Sequence, residues 1–138
     1  MKLFQKTIIG RPADPLLIRY ILFRCRWFGV YLHHLMRSDH DRALHDHPWN
    51  FVSILLTGEY KEHTAQGVTH HRRGSILIRP AMWLHRFELE RPMWTLVFVG
   101  SRVRRWGFMT PLGWCWWRTY NYEQNICEEE ILWTGGND

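Results

Sequence analysis

The sequence predicts an all-β domain, either a single antiparallel β-barrel or a two-sheet sandwich, with little helix. Apolar and β-branched runs are short throughout, and clusters of glycine, proline and polar residues separate them at even spacing. The chain has 138 residues, which is the size of one domain and is enough to bury a core without disulfide bonds. We therefore expect one domain spanning residues 1–138.

The first half of the chain carries clear turn and strand signals. Turn-forming residues occur in the N-terminal segment at Gly10-Arg11-Pro12 and Asp14-Pro15, and again at Ala65-Gln66-Gly67. Aromatic and β-branched residues predict strands between and after these turns. The predicted strands cover residues 16–23, 29–36, 45–58, 60–64 and 68–72.

The second half continues the same pattern with weaker signals toward its end. Short strands are predicted over residues 75–79 and 85–90, and a longer apolar strand over 94–99. Because residues 94–99 read as a continuous apolar run, we expect that strand to be buried on both faces. Weaker strands are predicted at 108–110 and 114–117, and residues 120–130 are expected to hold a short helix.

The composition and the net charge limit the classes of function that this protein could have. The chain is 46% hydrophobic and 22% charged, as expected of a folded protein rather than a disordered one. The net charge is +5 and most basic residues are arginine, whose planar fork matches carboxylate and phosphate. We therefore expect a small anionic ligand, and a generally basic surface in preference to a nucleic-acid site. A homodimer is compatible with the sequence, but nothing in it requires one.

Cysteine usage and hydropathy indicate a cytoplasmic protein. Cys25, Cys115 and Cys127 are far apart and odd in number, and no secretion signal begins the chain, which suggests a reducing compartment. Arg19 and Arg24 interrupt the apolar runs, so we expect no membrane span.

The most informative stretch contains His45 and His47. In an extended segment, residues i and i+2 point to the same face, so both imidazoles would aim into one interior. Imidazole suits zinc, copper, iron and nickel. Asp46 alternates to the other face, where we expect it to make a loop hydrogen bond or to orient a ligand. A third imidazole, His85, begins a later strand and could complete a metal site.

These two stretches resemble the two sequence motifs of the cupin superfamily. Between them lie 15 residues, a length that such proteins use. The sequence departs from the motifs at four positions, where the first glycine, the glutamate ligand, the second-motif glycine and the terminal asparagine are replaced. The residues in register are His45, His47, Gly58, Gly74, Pro80 and His85, and the replacing residues are Asp39, Phe51, Met82 and Leu89.

The resemblance implies a double-stranded β-helix, or jelly roll, that binds one divalent transition metal through His45, His47 and His85. It favours Fe(II), with Zn, Ni or Mn as alternatives, and a non-haem iron dioxygenase acting on a small anionic molecule. Three-histidine thiol dioxygenases are the most similar type. The cysteine that some of them carry five residues after the second histidine is Val52 here, so a thiol substrate is unsupported. No H-x-D or H-x-E sequence occurs, which disfavours the 2-oxoglutarate oxygenases.

Four residues are expected to line a substrate pocket: Arg42, Trp49, Phe51 and Trp83. Phe51 lies an even number of residues after His45 and His47, so in an extended chain its ring should point to the same inner face. Because the ring is uncharged, it would not neutralise the charge of the metal. Arg42 is the leading candidate to hold an anionic substrate, and Arg79 and Arg86 are weaker ones.

Other interpretations remain open at this point. A metal-dependent isomerase or hydrolase could use the ion as a Lewis acid. A non-catalytic cupin that only binds a ligand is a third hypothesis. Of the remaining histidines, His33 or His34 could face the cavity but are expected to be core residues. The segment from His70 to Arg73 is expected to be a solvated turn.

Overall fold

The computed structural model describes residues 1–38 and 43–128 of the chain. These residues form thirteen strands and one short 3-10 helix at Trp117–Thr119, so the all-β prediction is confirmed. In chain order the strands are β1 (Lys2–Arg11), β2 (Asp14–Arg24), β3 (Phe28–Leu35), β4 (Phe51–Leu55), β5 (Glu59–Thr64), β6 (Gly67–Arg72), β7 (Ile76–Arg79), β8 (Arg86–Glu88), β9 (Met93–Gly100), β10 (Gly107–Thr110), β11 (Gly113–Trp116), β12 (Tyr120–Asn121) and β13 (Ile126–Cys127).

Two larger sheets make up the body of the fold. One has six strands in the order β1-β2-β3-β9-β4-β7, and the other has three in the order β6-β5-β8. Each pairing within them is antiparallel. Strands β10 with β11, and β12 with β13, form separate two-stranded ladders. The large sheet brings β9 between β3 and β4, although the sequence separates these three strands widely.

The buried core lies on the inner face of the six-stranded sheet. Along β9, Met93, Thr95, Val97 and Val99 are buried, while the alternate residues are more exposed. The expectation that this strand is buried on both faces was therefore wrong: Phe98 is 41% exposed. An apolar run is compatible with either arrangement, and here the pleat sends every second side chain to the outer face.

Buried side chains form three clusters that all contribute to the lining of one cavity, the third being the cluster around Phe108. The first is centred on Leu55 and Met93, which are almost fully buried and stabilise the fold by about 1.5–3 kcal/mol each. The second contains Ile21, Tyr31, Val97 and Val99, and Trp49 and Phe51 pack against it.

Two local expectations about the chain ends need correction. The segment of residues 1–15 contributes a strand, β1, which pairs along β2 on the far side of the predicted turn. Where a helix was expected over residues 120–130, strands β12 and β13 pair across a turn, and residues 129–130 lie outside the described residues. The reason is local: the Asn121 side chain accepts hydrogen bonds from the backbone of Glu123 and Gln124 at 2.9 Å each, which closes a turn instead of a helix.

A disulfide bond joins Cys115 and Cys127, with their Cα atoms 5.7 Å apart. Sequence reasoning did not pair them, because only the folding of β11 and β13 brings them together. Cys25 is a free thiol. Within the described residues, no helix has the length and apolar character needed to cross a membrane.

Candidate metal centre

The two histidine-containing stretches lie side by side. His45 and His85 exchange backbone hydrogen bonds, with N···O distances of 2.9 and 3.0 Å. The His47 amide donates to the carbonyl of Ala81 at 2.9 Å. His45 forms only isolated β-bridges, and β4 runs from Phe51 to Leu55, so the strand predicted over residues 45–58 is shorter than expected. The same-face spacing of the two imidazoles is nevertheless preserved.

The three imidazoles converge on one point. One ring nitrogen from each of His45, His47 and His85 lies within 4.8 Å of the others. The Nε2 atoms of His47 and His85 are 3.3 Å apart. Two nitrogens bonded to one tetrahedral ion at about 2.0–2.1 Å would be about 3.3–3.4 Å apart. The 3.3 Å separation therefore fits two ligands of a single ion.

Asp46 anchors the segment from the opposite face. Its buried carboxylate accepts hydrogen bonds from the Gly107 amide at 2.7 Å and from Trp114 Nε1 at 2.9 Å. It also forms an ion pair with Arg104. These contacts confirm the expected loop hydrogen bond, and they keep the carboxylate away from the histidine cluster.

A carboxylate that sequence reasoning missed, Glu62 on β5, lies directly behind His85. Its Oε2 accepts a 2.7 Å hydrogen bond from His85 Nδ1 and a 3.0 Å bond from Trp83 Nε1. Arg79 donates to both oxygens, at 2.6 and 3.2 Å, and His71 donates at 3.0 Å. The alternation of β5 offered a signal, because Glu62 shares its inward face with buried Tyr60.

This network makes His71 an exception to the expectation that residues 70–73 form a solvated turn. Residues 67–72 are a strand, and the His71 side chain is mostly buried against Glu62. His70 is exposed, as expected, and faces Glu59 at 3.4 Å.

The protonation states of the cluster suit metal binding. Burial opposes the ionisation of Glu62, but hydrogen bonds from His85 and Arg79 outweigh it and hold the pKa of Glu62 well below its ordinary value. An ionised Glu62 fixes the proton of His85 on Nδ1, so the lone pair of Nε2 points toward the cluster. Burial, and then the neighbouring His85 and His45, hold the pKa of His47 well below its ordinary value. Neutral imidazole is the form that binds metal.

The cluster opens into a cavity of about 1210 Å³. Phe51 and Trp49 line it, and the Phe51 ring centre lies 4.5 Å from that of His47. Trp83 instead stands behind the cluster, where it contacts Glu62 and Arg79. Arg42 lies outside the described residues.

A second polar pair lies on the cavity wall; sequence reasoning considered His33 but missed Arg19. Arg19 on β2 donates a 3.0 Å hydrogen bond from Nε to Nε2 of His33 on β3, and both residues line the cavity. Arg19 lies on the face that Leu17 and Ile21 bury. An ionic side chain at an inward-facing strand position is the signal that could have identified it.

Comparison with known proteins supports the fold. No family model and no curated protein sequence matches the chain. A Klebsiella pneumoniae protein with a double-stranded β-helix domain is 22% identical, over 71% of this chain and 88% of that one, with a TM-score of 0.57. A cupin-2 domain from Rhodospirillum rubrum is 13% identical, over 79% and 77%, with a TM-score of 0.63. The protein FeII HppE is 13% identical, over 69% of this chain and 56% of that one, with a TM-score of 0.56.

The molecule is thus a double-stranded β-helix with three histidines gathered at its interior cavity. Its fold is that of the double-stranded β-helix and cupin-2 structures to which it is similar, as the sequence motifs predicted.

Proposed function

We propose that this protein is a metal-dependent enzyme that holds one divalent transition metal through His45, His47 and His85. We favour Fe(II), with Zn, Ni and Mn as alternatives, and a dioxygenase reaction on a small anionic molecule. The observation that carries the proposal is the convergence of three imidazole nitrogens within 4.8 Å beside an open cavity. The Fe(II) assignment is supported by the shared fold of FeII HppE.

The chain's own residues prepare such a centre. Glu62 orients His85, and the buried His47 stays neutral and ready to bind. Phe51 presents a ring to His47 where many cupins place a glutamate, so it limits the number of protein ligands to three. When bound, Fe(II) would supply open coordination positions at which a substrate and dioxygen can meet.

Charge explains the preference for an anion. Three neutral imidazoles would leave the ion about two positive charges, because no carboxylate belongs to the histidine cluster among the described residues. Coulomb energies rise as the effective dielectric constant falls, so a partly enclosed ion attracts an anion strongly. A carboxylate, thiolate or enolate group would then bind directly to the ion.

The experiment is an azide titration of the cobalt- or iron-loaded protein, followed by its absorption spectrum. The wild type is expected to show an azide-dependent change. Phe51→Glu should retain metal but bind azide more weakly, because its carboxylate supplies a fourth ligand and lowers the net charge. Val52→Glu is the matched control, since it adds the same carboxylate on the opposite face of β4.

The outcomes separate the competing functions. If the metal-loaded wild type shows no azide-dependent change, the site is coordinatively closed and the enzyme proposal fails. Oxygen consumption by the iron form with small carboxylates, thiols or enolisable acids would support the dioxygenase. A substrate that is converted without oxygen would favour a metal-dependent isomerase or hydrolase instead.

A further inference from the structure

The disulfide bond ties the end of the described chain to one side of the cavity. Cys115 on β11 is 1% exposed, whereas Cys127 on β13 is an exposed residue. The bond closes a loop with a sequence separation of 12 residues. Two residues of that loop, Tyr122 and Glu123, line the cavity that contains the histidine cluster. The disulfide therefore anchors a piece of the cavity wall.

Aromatic contacts connect this loop with the histidine cluster. The Tyr120 ring stacks on Phe108 with ring centres 4.0 Å apart, and Tyr122 meets the same ring edge-on at 5.3 Å. Phe108 in turn has its ring centre 6.1 Å from that of His45 and forms an isolated β-bridge with that residue. A movement of Tyr122 thus changes the surroundings of His45 through a single intervening ring.

The segment beyond Tyr120 contributes little buried surface. Tyr120 is 5% exposed, but each residue from 122 to 128 is exposed. Strands β12 and β13 pair over only two residues each, Tyr120 with Cys127 and Asn121 with Ile126. Exposed segments with few buried apolar contacts open locally at a low cost in free energy. The bond at Cys127 therefore restrains a segment that packing restrains only weakly.

The two sulfur atoms differ in their access to an incoming thiol. Because Cys115 is buried and Cys127 is exposed, attack is directed at Cys127 Sγ, and Cys115 Sγ is the leaving group. The Thr119 hydroxyl oxygen lies 3.4 Å from Cys115 Sγ and 3.5 Å from Cys127 Sγ. This hydroxyl donates its hydrogen to the Trp116 carbonyl at 3.1 Å, so its oxygen can accept from a thiol after reduction.

We propose that Cys115 and Cys127 are a redox modification site for a dithiol reductant, and that reduction releases residues 122–128 from the cavity wall. A thiolate of the reductant attacks Cys127 Sγ, the S–S bond breaks, and Cys115 Sγ leaves as a thiolate that takes up a proton. The second thiol of the reductant then attacks the mixed disulfide and releases Cys127. Two electrons and two protons pass to the protein, and the reductant becomes a disulfide.

The packing around Phe108 limits how much of the chain is released. Strand β11 pairs with β10 over four residue pairs, and Cys115 and Tyr120 lie with Phe108 in one buried cluster. These contacts do not depend on the disulfide, so the reduced chain should keep its fold as far as Tyr120 and open beyond it. The expected product is a folded protein with a wider opening beside His45, whichever metal or reaction the cavity serves.

The test compares the full-length chain before and after reduction with dithiothreitol. Alkylation by iodoacetamide and mass spectrometry count the thiols, and we expect one in the oxidised chain, from Cys25, and three in the reduced chain. Hydrogen–deuterium exchange measures the opening of residues 122–128. After the reductant is removed, hydroxyl-radical footprinting measures access to Phe108. Cys127→Ser reproduces the open form without a reductant, and Cys25→Ser is the matched control.

Reduction and Cys127→Ser should each raise the exchange rate of residues 122–128 at least about tenfold, because the cross-link no longer restricts the open state. Exchange in β10 and β11 should change by less than about twofold, and oxidation of Phe108 should rise about threefold or more. The Cys25→Ser variant should respond to dithiothreitol as the wild type does. Reduction of the wild type decides the matter if Cys127→Ser does not fold.

Equal exchange of residues 122–128 in the oxidised chain, the reduced chain and Cys127→Ser would overturn the inference, because packing alone would then hold the segment. Three alkylated thiols after treatment with excess oxidised glutathione would overturn it as well, since the bond would not form. Loss of protection in β10 and β11 on reduction would replace the local release by a staple for the whole fold. Failure of the chain to bind metal would overturn the proposed function and leave this site unaffected.

Discussion

At the scale of single residues, Glu62 links the candidate centre to its surroundings, because it bonds to His85 and to three further side chains. It is 1% exposed, and the groups around its carboxylate are all hydrogen-bond donors: His71, Arg79, Trp83 and His85. A buried carboxylate in such a position orients a metal-binding imidazole and raises its basicity. It also compensates the charge of Arg79, so removing it would leave a buried cation unpaired.

Glu62→Gln should weaken the binding of Zn(II) or Co(II) by about 10–100-fold, the usual effect of losing a partner of a metal-binding histidine. The amide group would turn N–H donors toward other donors and would no longer hold the proton of His85 on Nδ1. Affinity is measured by competition with a chromogenic chelator. The matched control is Glu88→Gln, which changes a half-exposed carboxylate bonded to His63; an equal loss of affinity there would refute the role of Glu62.

The titration of His33 should make the free energy of unfolding depend on pH. Its folded-state pKa lies well below 6.5, so below pH 6.5 the unfolded chain binds a proton that the folded chain does not. Stability is therefore fully present above pH 6.5 and falls as the pH decreases, by about 1.4 kcal/mol per pH unit for each such group. Burial, the principal cause, and the nearby Arg19 both oppose protonation of the folded form.

The variant His33→Gln keeps a hydrogen-bond acceptor for Arg19 but removes the titrating group. Urea unfolding of the metal-free proteins gives the free energy of unfolding at each pH between 6.5 and 5. For the variant, the slope of this free energy against pH should be smaller than the wild-type slope, by the amount that corresponds to about one proton. His70→Gln, on the exposed face of β6, should leave the slope unchanged. An identical slope in wild type and His33→Gln would contradict the assignment of a neutral His33.

At the scale of elements, two turns that contain glycine lie at the ends of strands β4 and β7, next to the site. Gly58 follows β4 and Gly74 precedes β7, and both have positive φ angles, of 77° and 88°. A Cβ at Gly58 would lie 2.8 Å from Cβ of the buried Met93, whereas a Cβ at Gly74 would meet nothing within 4 Å. The two motif glycines thus share a backbone requirement and differ in their packing.

Gly74→Ala should lower the free energy of unfolding by about 1–2 kcal/mol, the cost of a left-handed conformation in a residue with a Cβ. Gly58→Ala should lower it further, because the backbone of β9 must also move away from the new methyl group. Chemical denaturation at pH 7 measures both. The packing account is wrong if Gly58→Ala is no less stable than Gly74→Ala.

Sequence patterns predicted the parts of the site that depend on local spacing. His45 and His47 share a face because of two-residue parity, and Phe51 follows the same rule. Glu62, Arg19 and His33 depend on which strands become neighbours, and no local pattern specifies that β5 passes behind His85. The helix expected at residues 120–130 is absent from residues 120–128, the part of that range that the structure describes, because Asn121 closes a turn with its side chain.

At the scale of the whole molecule, the six-stranded sheet provides one wall of the cavity and the histidine segment provides another. Arg19 and His33 project from β2 and β3, while His45, His47 and His85 come from the loops that precede β4 and β8. The fold thus brings Arg19 and the three histidines, which lie far apart in sequence, to the lining of one cavity.

The central claim is that His45, His47 and His85 hold one transition metal ion. Its most direct test is metal analysis by mass spectrometry of protein purified without an affinity tag, for the wild type, His47→Ala, His85→Ala and His70→Ala. We predict about one equivalent per chain in the wild type and in His70→Ala, and a sharp loss in the other two. A metal-free wild type, or an equal loss from all three variants, would contradict the account.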